Sequence, residues 1–282
     1  MIFNRNGNKP VAVLLGAGIM GVGIVRQIAV GSKILLGDIS EQKLADVKNE
    51  LVRSGYDVAT CQVDAMQKDS IEAFAHVAAS LGEVKYYIHT AGASPSQASP
   101  QHIIDLDLIG TSYALDAFGK IMARGGAGLV IASQAGHMLP ALSDDDERAI
   151  ATTPTAELHT LPQLSPERIP DSGIAYMMAK KGNMLRVRTA AATSWAERGA
   201  RINTISPGII VTPLAYDEFN AMGDAYQRMI DQSPARRVAT ADEVSAVGAS
   251  LLSDKASFIT GIDLLMDGGV IAALKSGTYQ LG

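Results

Sequence analysis

The sequence predicts an α/β protein built on one seven-stranded parallel sheet with helices on both faces. Three observations predict it. Short apolar, β-branched runs alternate with longer helical patterns, as a helix-covered parallel sheet requires. The runs VAVLL at 11–15 and LVIA at 129–132 are apolar throughout rather than alternately, the mark of strands covered on both faces. A length of 282 residues with 47% apolar content suits one large domain spanning 1–282 better than two.

In chain order, a strand at 11–15 leads into a helix at 20–30, and a strand at 33–37 (KILLG) into a helix at 41–53. Asp38 and Ser40 are good capping residues for that second helix. A strand at 57–62 (DVATCQ) precedes a helix at 68–80, and a strand at 85–89 (KYYIH) precedes one long helix at 100–122. A strand at 128–132 follows, then a helix at 174–198, a strand at 201–205 (RINTI), a helix at 241–252 and a last strand at 262–266 (IDLLM). No internal repeat or low-complexity linker interrupts this order. Residues 138–173 stand apart as an insertion near the substrate site, with an acidic patch (Asp144, Asp145, Asp146, Glu147) and prolines at 154, 162, 166 and 170. They read as a lid, an oligomer contact or a solvated surface insertion.

A net charge of −5 with 19% charged residues gives no basic surface for nucleic acid. Cys61 is the single cysteine, so a disulfide framework and a cysteine-rich metal site are both excluded. The histidines at 76, 89, 102, 137 and 159 include no pair at zinc-ligand spacing on one helix, and no metal is expected. Arg5 and Lys9 ahead of the apolar stretch 11–25 imitate a signal peptide. Glycines at 16, 18, 21 and 23 interrupt that stretch, and its 15 residues before Arg26 are too few to span a bilayer. A cytoplasmic protein without a membrane partner is expected.

Gly16-Ala17-Gly18-Ile19-Met20-Gly21-Val22-Gly23 follows the first strand and opens the first helix. Glycines serve where the backbone turns sharply, meets a pyrophosphate and packs a helix tightly on a strand. The helix start offers free N–H groups and partial positive charge to phosphates. Asp38 closes the second strand 20 residues after Gly18, where a carboxylate can hold both adenosine ribose hydroxyls. Its charge would repel a 2′-phosphate, and no Arg or Lys lies in the glycine loop or immediately after Asp38, so NAD is favoured over NADP. An ordinary helix cap is the other reading of Asp38. Asp64 reads equally as an adenine-edge contact or a strand-end turn residue. Ala91 and Gly92, in His89-Thr90-Ala91-Gly92, would let the adenosine ribose approach the backbone. A doubly wound Rossmann-type domain accommodates all of these.

Tyr176 and Lys180 are four apart on a helix and so share one face. A phenol with a pKa near ~10 is a poor acid or base at neutral pH. A fixed positive charge beside it favours the phenolate. Alone the spacing is common. With the other motifs in order, the chain resembles the short-chain dehydrogenase/reductase family over nearly every residue from 10 to 272. The family's reactive serine matches Ser133, and its Tyr-x-x-x-Lys pair matches Tyr176 and Lys180. Its Asn and Pro-Gly elements match Asn203, Pro207 and Gly208, followed by Ile210 and Thr212, and its Asp-Gly-Gly matches Asp267-Gly268-Gly269.

The resemblance implies an NAD(H)-dependent oxidoreductase interconverting a secondary alcohol and a ketone. Tyr176 would exchange a proton with the substrate oxygen, Lys180 would assist it and hold the nicotinamide ribose, and Ser133 would hydrogen-bond the oxygen. The cofactor would be bound by Gly16, Gly18, Ile19, Met20, Gly21, Asp38, Asp64, Ala91, Gly92, Tyr176, Lys180, Pro207, Gly208, Ile210 and Thr212. Ser133, His137, Met138 and Ile209, with Met222 and Met229, are candidates for the substrate pocket. A satisfied structural histidine and core methionines are the competing readings. Assembly as a homo-oligomer, tetramer or dimer, through the long helices is implied as well.

The chain departs from the family pattern in several places. The glycine loop is atypical in its first half, and His89-Thr90 stands where asparagines are usual. Asp107 stands where an asparagine helps hold a water beside the lysine, either keeping that role through its backbone or changing the pH dependence. Ser133 and Tyr176 are 43 positions apart where about a dozen is usual. A cofactor-binding sensor without catalysis, and an epimerisation or dehydration that consumes no cofactor, remain the alternative functions.

Overall fold

The computed structural model describes residues 9–96, 98–212, 223–224 and 226–278. Among the described residues, nine strands form in chain order: β1 Val11–Leu15, β2 Lys33–Asp38, β3 Asp57–Gln62, β4 Val84–His89, β5 Met122–Ile131, β6 Arg201–Pro207, β7 Ile210–Val211, β8 Ala239–Thr240 and β9 Asp263–Met266. Seven of them make one sheet in the order β3-β2-β1-β4-β5-β6-β9, every neighbouring pair parallel, while β7 and β8 pair separately. Strand order reverses between β1 and β4, which lie side by side although their connections leave in opposite directions. Open α/β sheets bind ligands in the crevice that such a reversal opens beyond the strands' carboxyl ends.

The helices include α1 Ile19–Ile28, α2 Glu41–Arg53, α3 Lys68–Leu81, α4 Pro100–Ile103, α5 Thr111–Gly119, α6 Ala135–Met138, α7 Asp144–Thr152, α8 Ser172–Ala192, α9 Ser194–Glu197, α10 Ala241–Leu252 and α11 Val270–Ser276. Side-chain caps fix several starts: Ser40 Oγ accepts from the Lys43 N–H at α2, Asp171 Oδ1 from the Ile174 N–H at α8, and Thr240 with Glu243 closes a capping box at α10. Each face of the sheet carries its own core. Phe74, Tyr87, Phe118 and Trp195 fill one, with Tyr87 stacked on Phe118 at 4.3 Å between centroids. Ile24, Leu36, Leu51, Ile88 and Leu252 belong to the other.

The structure differs from the sequence reading at two long elements. The helix expected over 100–122 is α4, a π-helical segment Ile104–Gly110, and α5, after which the chain turns directly into β5. Gly110 meets the neighbouring backbone here, since a Cβ on it would lie 2.4 Å from the Ala65 carbonyl oxygen. The Thr111 and Ser112 hydroxyls donate to the Asp107 and Leu108 carbonyls. Such local wide turns recur at functional sites. The helix expected over 174–198 breaks at Thr193, whose φ of −126° and ψ of −106° are not helical.

Residues 138–173 fold onto the body of the protein. Ile150, Leu158, Leu164 and Ile169 form a third core with Ile103, Leu108, Ile109, Met178 and Leu185 from α4, the π segment and α8. Arg186 of α8 reaches into the insertion, donating to the Thr153 carbonyl and, at 2.7 Å, to Thr155 Oγ1. Packed on its sheet side and its insertion side, α8 buries 12 of its 21 residues, Lys180 among them.

Candidate active site

The glycine turn sits at the strand-order reversal. Gly16 has φ +89°, and a Cβ there would lie 2.3 Å from the Ala91 nitrogen, so only glycine fits between β1 and the chain leaving β4. Thr90 ties the two together by donating to the Gly16 carbonyl at 2.5 Å. Gly18 is the N-cap of α1, whose first turn has no side-chain cap and no acidic residue, so its N–H groups face the crevice uncompensated. Ile19 is 53% exposed at that rim and Met20 lines the cleft. Gly21 lets α1 lie on β1, because a Cβ would meet Leu14 Cδ1 at 2.5 Å. These residues fit a dinucleotide pyrophosphate, with a backbone cradle that a side chain would fill.

Asp38 ends β2 at 8% exposure, accepting from the Ala17 N–H at 2.8 Å and the Ser40 N–H at 3.0 Å. Sequence reasoning missed Lys43: its Nζ lies 3.1 Å from Asp38 Oδ2. Five positions separate the two, and the first turn of α2 brings the lysine back. Asp64 accepts from the Met66 N–H at 2.9 Å, which makes it the fastener of its own turn.

The chemical cleft, about 330 Å³, is lined by Ser133 from the end of β5, Tyr176 and Lys180 from α8, and Gly92 after β4. Pro207, Gly208, Ile210 and Thr212 line it from the segment after β6. Lys180 Nζ stands 5.1 Å from the centre of the Tyr176 ring, so the pair meets as its spacing requires. Ser133 Oγ accepts from the Ala135 N–H at 3.2 Å, leaving its hydroxyl proton free for another acceptor. Met138, Ile209 and Met229 are in the wall, together with Met177, Gln134 and Tyr226, which the motifs gave no reason to choose. Met222 lies outside the described residues.

His137 is absent from the cleft wall. Its Nε2 lies 2.7 Å from Asp263 Oδ2, while Thr204 and Ser206 donate to the other oxygen at 2.6 and 2.7 Å. Burial alone would raise the Asp263 carboxyl, but the His137, Thr204 and Ser206 hydrogen bonds and the His137 charge outweigh it and hold it below the usual range. This histidine ties α6 to the edge strand β9. Asn203 is likewise structural, pinning the chain before β9 through the Ile259 carbonyl and the Ile262 N–H. Asp267 caps α11 through the Gly269 and Ile271 N–H groups.

Asp107 projects from the π segment and is fully buried. One oxygen accepts from the Ala93 N–H at 2.8 Å and the other pairs with Lys180 Nζ at 2.8 Å. Burial pulls the Lys180 ammonium down, yet the charge and hydrogen bond of Asp107, with the Tyr176 oxygen, more than offset it and leave the lysine above its ordinary value. The Asp107 carboxylate thus favours the ammonium form of Lys180. The side chain itself, not only the backbone, reaches the lysine.

His89 replaces asparagine with a buried network. The Thr111 hydroxyl donates to the Asp107 carbonyl at 2.7 Å and so accepts from His89 Nε2 at 3.1 Å. His89 Nδ1 is left to accept from the Tyr87 hydroxyl at 2.8 Å, which assigns the tautomer from the hydrogen bonds. Burial first, and the Lys180 charge second, push His89 down to about 3, against a weak opposing hydrogen bond with Ala91. An unfolded histidine has its pKa near 6.5. Between those values the unfolded chain binds a proton that the folded chain refuses, so stability is complete above about pH 6.5 and falls as pH drops toward 3. Melting temperature should fall on acidification from about pH 7 to 5, by up to ~1.4 kcal/mol of stability per pH unit from this residue. His89→Asn should flatten that slope; an unchanged slope would remove His89 as its source.

Residues 10–142 match the short chain dehydrogenase model, and residues 160–271 match the enoyl-(acyl carrier protein) reductase model. The solved structure of levodione reductase covers 94% of this chain and 98% of its own with a TM-score of 0.75 at 24% identity, a likeness of fold. An NADH-dependent L-xylulose reductase of Ambrosiozyma monospora is 25% identical over 286 residues, 95% of this chain and 96% of that one. A short-chain dehydrogenase/reductase of Alternaria brassicicola is 37% identical over 273 residues, 96% of this chain and 99% of that one. Matched at that identity along nearly its whole length, the chain belongs to the short-chain dehydrogenase/reductase family.

Proposed function

We propose that the protein interconverts a secondary alcohol and a ketone with NAD(H), using Tyr176 as general acid and base. The carrying observation is that Lys180 Nζ lies 5.1 Å from the Tyr176 ring centre, with Ser133 in the same cleft beside the glycine turn. When bound, the dinucleotide supplies or takes up the hydride at its nicotinamide. The residues do the rest. The Tyr176 phenol gives a proton to the carbonyl oxygen in reduction, and its phenolate takes the proton from the alcohol in oxidation. The Ser133 hydroxyl donates to the same oxygen as charge develops there, a contribution worth roughly 3–4 kcal/mol at comparable sites. Lys180, held charged by Asp107, keeps a positive field on the phenol side of the cleft and can hold the ribose hydroxyls of the cofactor.

Asp38 supports NAD over NADP by its charge. The apolar wall of Met138, Met177, Met229 and Ile209 supports an uncharged substrate with hydrocarbon beside its carbonyl. The test is to mix the protein with NADH and ketones spanning steroids, sugars and β-ketoacyl thioesters and to follow nicotinamide absorbance. NADH oxidation with an uncharged ketone is the expected result. Dinucleotide binding without turnover of any ketone or alcohol would favour the sensor, and conversion without net NADH loss would favour epimerisation or dehydration.

A further inference from the structure

We propose that Lys43 is a cofactor-specificity residue that lets this site accept the 2′-phosphate of NADP(H), narrowing the preference for NAD(H) that Asp38 alone would impose. The inference rests on the dinucleotide reading of the site and deepens it. At Asp38 the Ala17 N–H donates to Oδ2 and the Ser40 N–H to Oδ1, while the Lys43 ammonium forms an ion pair with Oδ2 at 3.1 Å. The ribose hydroxyls of a bound NAD would share Oδ2 with that cation or turn to Oδ1.

A 2′-phosphate reverses that competition. It brings acceptor oxygens and up to two negative charges to the spot where Asp38 is repulsive, and the Lys43 ammonium already stands 3.1 Å from Asp38. Lys43 can leave Oδ2 for a phosphate oxygen, or bridge the two anions, without crossing the site. Its side chain is 47% exposed against 9% for Asp38, so the lysine is free to swing while the carboxylate is fixed by two backbone N–H groups. Among the described residues, Lys43 is the ion partner of Asp38, and the next residue, Ile39, is an exposed apolar side chain. The start of α2 survives loss of the lysine side chain, because Ser40 caps it through the residue-43 backbone N–H.

Calorimetric titration of the wild type, Lys43→Ala, Lys43→Arg and Asp38→Asn with NADH, NADPH, AMP and 2′-phosphorylated AMP tests this independently of turnover. In Lys43→Ala, Kd should rise about tenfold or more for the two 2′-phosphorylated ligands and stay within about threefold, or fall, for NADH and AMP. Lys43→Arg should retain the wild-type pattern, and Asp38→Asn should tighten NADPH. Weakening of phosphorylated and unphosphorylated ligands by the same factor would make Lys43 a mere support for Asp38 and overturn the proposal. So would unchanged affinities. A wild type that binds neither NADH nor NADPH would overturn the dinucleotide reading itself, an outcome distinct from NADH binding that is insensitive to residue 43 in its 2′-phosphate arm.

Discussion

Tyr176→Phe is expected to lower kcat by about 10²–10⁴-fold, the usual range for removing a positioned general acid or base. That loss is ~3–5 kcal/mol of transition-state stabilisation. The change removes one oxygen and keeps the ring over which Lys180 Nζ lies, so folding and the neighbouring methionine contacts should persist. NADH affinity should move by less than about threefold, because the ring reports on the reacting oxygen and not on the glycine turn. Steady-state kinetics beside a dinucleotide titration separate the two effects. Turnover within a factor of a few of wild type would take Tyr176 out of the mechanism.

Asp107→Ala is expected to be the most destabilising single change at the site. It strands the Lys180 ammonium, only 7% exposed, without its partner at 2.8 Å, and it frees the Ala93 N–H. Breaking one side of a buried pair costs about 3–5 kcal/mol. For a chain of this size the melting temperature should drop on the order of 10 °C. The cost should largely disappear in a Lys180→Met background, the signature of a pairwise interaction. Asp107→Asn keeps an acceptor for Ala93 and gives a second readout. Lys180 lies above its ordinary value because of Asp107 and would sink once burial acts unopposed. Loss of the ammonium would then come earlier on raising the pH, so the alkaline limb of the turnover–pH profile should move to lower pH. An unmoved limb would mean that the carboxylate does not set the lysine's charge.

Much of this was legible in the chain because it rests on local rules. Continuous apolar runs marked the central strands, glycine spacing marked the turn after β1, and the four-residue spacing of Tyr176 and Lys180 fixed a shared helix face. What stayed hidden depends on long-range packing or on local winding. The pattern over 100–122 is helical throughout, and nothing in it announces the wide turn at Ile104–Gly110 that swings Asp107 inward. That turn answers a close backbone approach from Ala65, 45 positions away. The Asp107–Lys180 and His137–Asp263 contacts join residues 73 and 126 positions apart. Lys43 is a smaller case: it lies beyond the positions just after Asp38, and only the first turn of α2 brings its ammonium back to the carboxylate.

Excising residues 144–164 is expected to act through packing. The sheath they make over α8 and the π segment would be stripped away, baring the greasy flank of Leu108, Ile109, Met178 and Leu185. Arg186 would at the same time lose the Thr153 and Thr155 oxygens that receive it. A shortened chain would then clump or loosen around α8, the rod that carries Tyr176 and Lys180, so residues 144–164 brace that helix from its outer flank.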